Sequence, residues 1–216
     1  MRAPSSFLYS ANAGSLPMSV PSAVIVPTET IRTERLKAAT RQAHDRLDHA
    51  IMAARAFDDR HRFAGFLRVQ YRFHRDIDVL YAMPALQALL PDLQQRSRLG
   101  RIAKDLVDLG AMAPGSSPPR LAADTPLPIA LGWLYVAEGS NLGATVLYKL
   151  AARLGLDARF GARHLAAHPD GAARHWRAFT TALNALALAQ DEEAGVVAGA
   201  EAAFRTVSSY VAEELP

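Results

Sequence analysis

Apolar residues recur along this chain every three or four positions and almost nowhere every two. Leu36, Ala43, Leu47, Ile51 and Ala54, with the half-apolar Thr40, mark a stripe over 33–54, the period of an amphipathic helix. A second stripe, Phe63, Phe66, Leu67, Phe73, Ile77 and Leu80, runs through 59–82, with Asp58 placed to cap its first turn. Pro84 and Pro91 punctuate a short helix. Residues 92–109 predict another, ending at Gly110 in the position just past a helix that favours glycine. A Pro/Ser/Gly loop follows over 113–128, and a long apolar helix over 129–153 stops at Gly155. After an irregular stretch at 156–171, helices at 172–187 and 191–214 finish the chain. No strand pattern, hairpin signal or internal repeat appears. The expected fold is all-α, one helical domain over 31–216. Residues 1–30 are rich in Ser, Pro, Gly and Asn and have no period, so a disordered extension is expected there. They lack the apolar run of a signal peptide, and Met18 is an alternative start.

Composition narrows the classes. The 216 residues are 50% apolar, enough for one proper core. A net charge of +3 suits an anionic ligand or an acidic partner. It is too weak to argue for nucleic acid, and no Lys/Arg cluster tracks a backbone. With no cysteine, disulfides, thiolate catalysis and Cys-ligated metals are excluded. No apolar run reaches 18 residues, so no membrane helix is expected.

The long apolar helix carries the strongest anomaly. Gly132, Gly139 and Gly143 lie inside it, and each glycine costs about 1 kcal/mol relative to alanine in a helix interior. Such losses point to a packing or ligand reason. Gly139 and Gly143 are four apart and share a face, with Ser140 beside them. A flat ligand can lie against that face, and the helix can bend there.

Polar residues also interrupt the stripes. His44 falls on the inward side of the first helix, next to Asp48 at i+4. A carboxylate there can hold Nδ1–H and leave Nε2 for a metal. Lys37, seven residues earlier, lies roughly 10 Å along the same face, a distance that suits a flat porphyrin with iron at the His and carboxylates at the Lys. A core histidine and a solvated lysine are the plainer reading of the same spacing. Gln70 and His74 are an i,i+4 polar pair beside an apolar stripe, which requires hydrogen-bond partners or ordered water. Arg98 either joins them or is exposed. His164 and His168 are four apart in an irregular loop and make a poor zinc site, and the repeated Glu-x-x-His of di-iron bundles is absent.

Three segments bear a family resemblance. Leu36-Lys37-Ala38-Ala39-Thr40-Arg41-Gln42-Ala43-His44 resembles the proximal helix of haem oxygenases. Gly132-Trp133-Leu134-Tyr135-Val136-Ala137-Glu138-Gly139-Ser140-Asn141-Leu142-Gly143-Ala144 resembles their distal helix. Residues 161–171, followed by His175-Trp176-Arg177-Ala178-Phe179, are similar to the bacterial haem-uptake branch. The resemblance covers about 33–214 and implies haem held between two helices. It makes His44 the axial iron ligand, with Asp48 as its acceptor. Gly139 and Gly143 become the distal backbone facing the bound oxygen, and Ser140 a haem contact. Asn141, Gln70, His74 and Arg98 become members of the distal hydrogen-bond and water network, and Lys37 and Tyr135 the contacts of the haem carboxylates.

The activity implied is O2- and electron-dependent opening of haem, both cofactor and substrate, to biliverdin, CO and ferrous iron. Lys37 and Tyr135 set the haem's rotation, which directs cleavage to the α-meso carbon. No flavin or nicotinamide site is visible, so the resemblance implies a separate donor, a ferredoxin or a flavin/NADPH reductase. It further implies a monomer in the cytoplasm, without the C-terminal anchor of animal members. A haem-binding carrier or sensor without turnover is the alternative. A thiaminase-like enzyme on a related fold needs a nucleophilic cysteine that this chain lacks.

Overall fold

The computed structural model describes residues 31–115 and 117–215. The extension expected over 1–30 lies outside them. The elements are α1 (Arg32–Ala53), α2 (Arg60–Ala82), α3 (Pro84–Leu89), a 3-10 turn (Leu93–Arg96), α4 (Leu99–Asp108), α5 (Leu127–Ala152), a second 3-10 turn (Arg163–Leu165), α6 (Ala172–Ala185) and α7 (Gln190–Glu214). Among the described residues there is no strand, only one isolated bridge between Asp157 and Gly161.

Most helix ends follow the sequence signals, and two do not. The N-cap of α2 is Asp59, whose Oδ1 accepts from the Arg62 N–H at 2.8 Å. Asp58, expected in that role, instead accepts from Arg55 Nε at 2.5 Å. The helix expected over 92–109 is broken in two. Asp92 adopts a left-handed φ of 54°, the 3-10 turn follows, and α4 starts only at Leu99. Ser97 Oγ donates to Asp78 Oδ1 at 2.8 Å and fixes the break. The break turns Arg96 and Arg98 into the interior, where both are buried. Gly110, φ 63°, does close α4. Its N–H donates to the Val107 carbonyl and that of Ala111 to the Leu106 carbonyl, the paired bonds of a Schellman end.

The core is continuous and aromatic-rich, with Phe63, Phe66, Leu67, Ile77, Leu80, Leu131, Leu134 and Phe179 essentially inaccessible. Each such side chain contributes about 1.5–3 kcal/mol by burial. α7 is the element on which the others are laid. α1 runs parallel to it, with Arg32 paired to Glu193 at 2.6 Å near one end and the His44 ring 6.0 Å from the Phe204 ring at the other. Arg32 also donates to the Leu183 and Leu186 carbonyls at the end of α6, satisfying acceptors a helix terminus leaves open. α2 meets the far end of α7 through Arg72–Glu213 at 2.6 Å and Arg68–Glu214 at 2.8 Å. α5 crosses α7 closely, and α6 packs on both α5 and α1. α1 and α5 thus share two supporting helices while hardly touching each other.

Candidate functional site

On the α1 wall, His44 is not inward in the sense of buried. Its side chain is 59% exposed, with its ring edge-on to Phe204. Its Nδ1 stands 3.3 Å from Asp48 Oδ2 and 4.0 Å from Asp45 Oδ1. Among the described residues nothing hydrogen-bonds Nε2. His44 and Asp48 thus lie within ion-pair distance of each other. Lys37 is exposed two turns toward the N-terminus of α1.

On the α5 wall, the three glycines separate into two kinds. A Cβ at Gly132 would sit 2.2 Å from the Val196 carbonyl oxygen and 2.5 Å from the Ala200 nitrogen. Gly199 faces it with the same constraint against the Ile129 carbonyl at 2.4 Å. These two glycines let α5 and α7 cross with backbones in contact, so Gly132 is explained by packing. Gly139 and Gly143 are different. A Cβ at Gly139 would meet only the Trp176 ring at 3.6 Å, and at Gly143 nothing within 4 Å. α5 continues as helix through both. Ser140 Oγ donates to the Ala137 carbonyl at 2.7 Å, and Leu142 and Val146 present exposed apolar surface beside Gly143. Tyr135, one turn before Gly139, packs against Trp176 at 5.6 Å, and Trp176 stacks on Phe179 at 5.8 Å. Burial raises the Tyr135 hydroxyl pKa, which keeps it a neutral donor.

A buried polar layer lies between α2, the start of α4 and the second 3-10 turn. His74 is buried, and its Nδ1 has no hydrogen-bond partner. Burial, followed by the charges of Arg98 and His164, lowers its pKa to about 3, so it is a neutral imidazole. Arg98 is buried as well and donates to the His164 carbonyl. It joins His74 rather than facing solvent. Gln70, one turn before His74, is half-buried.

Several members of this layer do not stand out in the sequence. His164 Nδ1 lies 2.8 Å from Asp105 Oδ2, which also accepts the His164 N–H at 3.0 Å. Burial alone would raise Asp105, but these hydrogen bonds outweigh it and hold its pKa below the usual value. The acceptor-only carboxylate places the proton on His164 Nδ1. Its Nε2 is then a buried lone pair without a partner. His168 is not beside His164; its ring stacks on His175 at 4.3 Å. No group of three potential metal-binding side chains occurs among the described residues.

Glu138 is the other omission. It is buried on α5, directly before Gly139, and accepts from Arg96 at 2.8 Å, Tyr81 at 3.4 Å and Asn141 at 3.5 Å. Asn141 is thereby tied to the polar layer. Burial raises the Glu138 pKa, against the lowering pull of Arg96. One signal was available, since Glu138 is the only acid in α5. Its partner Arg96 had no signal, because the break before α4 was not legible.

The helices make an all-α protein in which α1 and α5 are each packed on α6 and α7. The Heme oxygenase family model matches residues 115–213. Heme oxygenase PigA of Pseudomonas aeruginosa is 41% identical over 176 residues, 82% of this chain and 89% of its own length. The Neisseria meningitidis heme oxygenase, solved with NO and CO bound, superposes with a TM-score of 0.80 at 39% identity, covering 86% of this chain and 92% of that one. The Leptospira interrogans heme oxygenase, at 18% identity and a TM-score of 0.68 over 85% of this chain and 100% of that one, shares the fold. The chain belongs to the haem oxygenase family. No helix among the described residues is long and apolar enough to cross a membrane.

Proposed function

We propose that this haem oxygenase would hold haem between α1 and α5, with His44 Nε2 binding the iron. The supporting observation is the pairing of an exposed His44, its Nδ1 near Asp48, with a length of α5 whose Gly143 is open and whose Gly139 meets only the Trp176 ring. These residues fit the group. A neutral imidazole suits ferrous iron without the strong electron push of a thiolate, and a side-chain-free helix face suits a porphyrin plane. When bound, haem supplies both the iron at which O2 is reduced and the ring carbon that is cleaved.

The chain's own residues do the rest. Asp48 orients the His44 ring and fixes its tautomer. Gly139, Gly143 and Ser140 keep α5 low over the ligand and free of a side-chain acid. Gln70, His74, Arg98 and Asn141 hold water on that side and pass protons through it. His74 acts there as a neutral acceptor or donor, because burial and Arg98 keep it uncharged. Lys37 and Tyr135 take the haem carboxylates. A charge-assisted contact contributes about 1.5–3 kcal/mol, and about 1.4 kcal/mol already biases two seatings tenfold. The seating they favour directs cleavage to the α-meso carbon and gives biliverdin IXα. Electrons come from a separate reductase partner, a ferredoxin or a flavin/NADPH reductase. We place the enzyme in the cytoplasm as a monomer.

The test is to load the protein with haem and add reductant and O2. Conversion of the haem spectrum to that of biliverdin supports an oxygenase; an intact haem spectrum makes the protein a carrier or sensor. Chromatography against isomer standards reads the regiochemistry. The Lys37→Asn, Tyr135→Phe double variant is expected to give mixed isomers. A wild-type product dominated by the β or δ isomer would overturn the seating and leave the oxygenase standing.

A further inference from the structure

Between Glu138 and Ala151, the length of α5 that bears Gly139 and Gly143 buries only Ala144. Gly143 touches nothing on the side where a Cβ would sit, and Leu142 and Val146 are exposed. Yet the position of this backbone decides how closely a flat ligand can approach. Its restraint comes from behind, through one buried carboxylate. Glu138 and Arg96 are each 1% exposed in their side chains, with 2.8 Å between Oε2 and Nη1.

Arg96 does more than neutralise that charge. Its Nη1 also lies 3.2 Å from His175 Nδ1, and its Nη2 donates to the His175 carbonyl at 3.4 Å. Its Nε donates to the Pro91 carbonyl at 3.0 Å. Guanidinium has no acceptor, so His175 must receive at Nδ1 and carry its proton on Nε2. Burial and the Arg96 charge lower the pKa of His175 to about 4, which agrees with that tautomer. The guanidinium therefore joins four places: the turn before α4, the residue before Gly139, the start of α6 and the ring of Phe179 at 5.7 Å. Trp176, next to His175, is the side chain that covers Gly139. On the other side, Tyr81 from α2 and Asn141 from the next turn of α5 meet the same carboxylate.

We infer that Arg96 and Glu138 are positioning residues that brace the 138–141 turn of α5 against α2 and α6 and so set the height of the Gly139–Gly143 backbone over the ligand. This rests on the haem reading for its consequence, though not for its geometry. A pair kept only for stability and one kept for position behave differently on replacement. Removing one partner leaves a buried uncompensated charge, whereas replacing both by apolar groups of similar volume is often neutral. Two methionines fill space but offer no directed contact to Tyr81, Asn141 or His175.

The experiment compares wild type, Arg96→Met and Arg96→Met with Glu138→Met. It reads melting temperature and amide exchange over 139–144 in the haem-free protein, then haem affinity by absorbance titration. The single variant is expected to melt well below wild type. The double variant is expected to recover most of that loss while amides 139–144 still exchange at least tenfold faster than in wild type and haem binds at least tenfold more weakly. Exchange over 139–144 at the wild-type rate in the double variant overturns the brace, as does faster exchange spread evenly over all helices. If the single variant does not fold, the double variant alone decides. Should wild type fail to bind haem, the functional reading falls, while the exchange result still judges the brace.

Discussion

The two halves of α5 use the same residue for opposite purposes. In the first half, Gly132 is buried against Gly199, and a single added carbon would run into the backbone of α7. In the second, Gly139 and Gly143 have room for a side chain and do not carry one. A glycine required by packing is explained by its neighbours. A glycine in open space costs helix stability with no return from the protein itself. Its explanation lies outside the protein's own packing.

The contrast predicts variants that separate ligand binding from stability. The largest expected effect is on function. His44→Ala removes the proposed iron ligand, so turnover should fall at least a hundredfold and the haem spectrum should change. Because His44 is 59% exposed, thermal stability should move by less than about 1 kcal/mol. Wild-type activity with an unchanged spectrum in this variant contradicts the α1 assignment.

Next in size, Gly132→Ala forces the α5–α7 crossing apart. Overpacking costs about 1–3 kcal/mol, and a contact of 2.2 Å with a backbone oxygen puts this change at the top of that range. For a chain of this length the melting temperature should drop by roughly 10 °C. A Gly132→Ala protein that melts like wild type would show that the helices are not in backbone contact.

The buried polar layer adds a pH dependence. His74 titrates at about 3 when folded and at 6.5 in the reference state. The unfolded chain thus binds a proton that the folded chain refuses, and stability falls as pH drops below 6.5 toward 3. Between pH 6.5 and 5 the difference amounts to roughly 2 kcal/mol. Glu138, raised by burial, works in the opposite direction, and Asp105, lowered, in the same one. Both remain in a His74→Gln variant, so comparison isolates His74. Chemical denaturation at pH 6.5 and pH 5 should show a smaller loss in the variant, and equal losses would mean that His74 is not a buried neutral imidazole.

Gly143→Ala is the mildest change. With nothing within 4 Å, the folded protein should gain about 0.5–1 kcal/mol from the helix preference of alanine. Haem affinity or turnover should nevertheless decrease. A variant both more stable and fully active would make Gly143 irrelevant to the ligand.

Much of this was legible in the sequence because helices on a shared core write their packing as a 3.6-residue period. The stripes of α1 and α2 and the closing Gly110 are of that kind. His44, Asp48 and the glycines could be singled out because each breaks its local pattern. The division of roles among the glycines could not be read, since Gly132 and Gly143 differ only in which helix passes over them. The Arg96–Glu138 brace was hidden for a related reason. Its partners are 42 residues apart, and they meet only because left-handed Asp92 and the 3-10 turn interrupt a stretch whose apolar spacing reads as unbroken helix. His164 with Asp105 is likewise a long-range pair, formed where a short turn delivers a loop histidine into the core.

Amide exchange measured with and without haem tests the central claim most directly. Haem held between α1 and α5 as proposed should slow exchange around His44 on α1 and over 139–146 on α5. It should leave 128–132, already packed on α7, unchanged. Protection over 128–132, or at the separate groove of about 360 Å³ lined by Arg60, His61, Arg68 and Asp108, with none over 139–146, would place the ligand elsewhere and contradict the account.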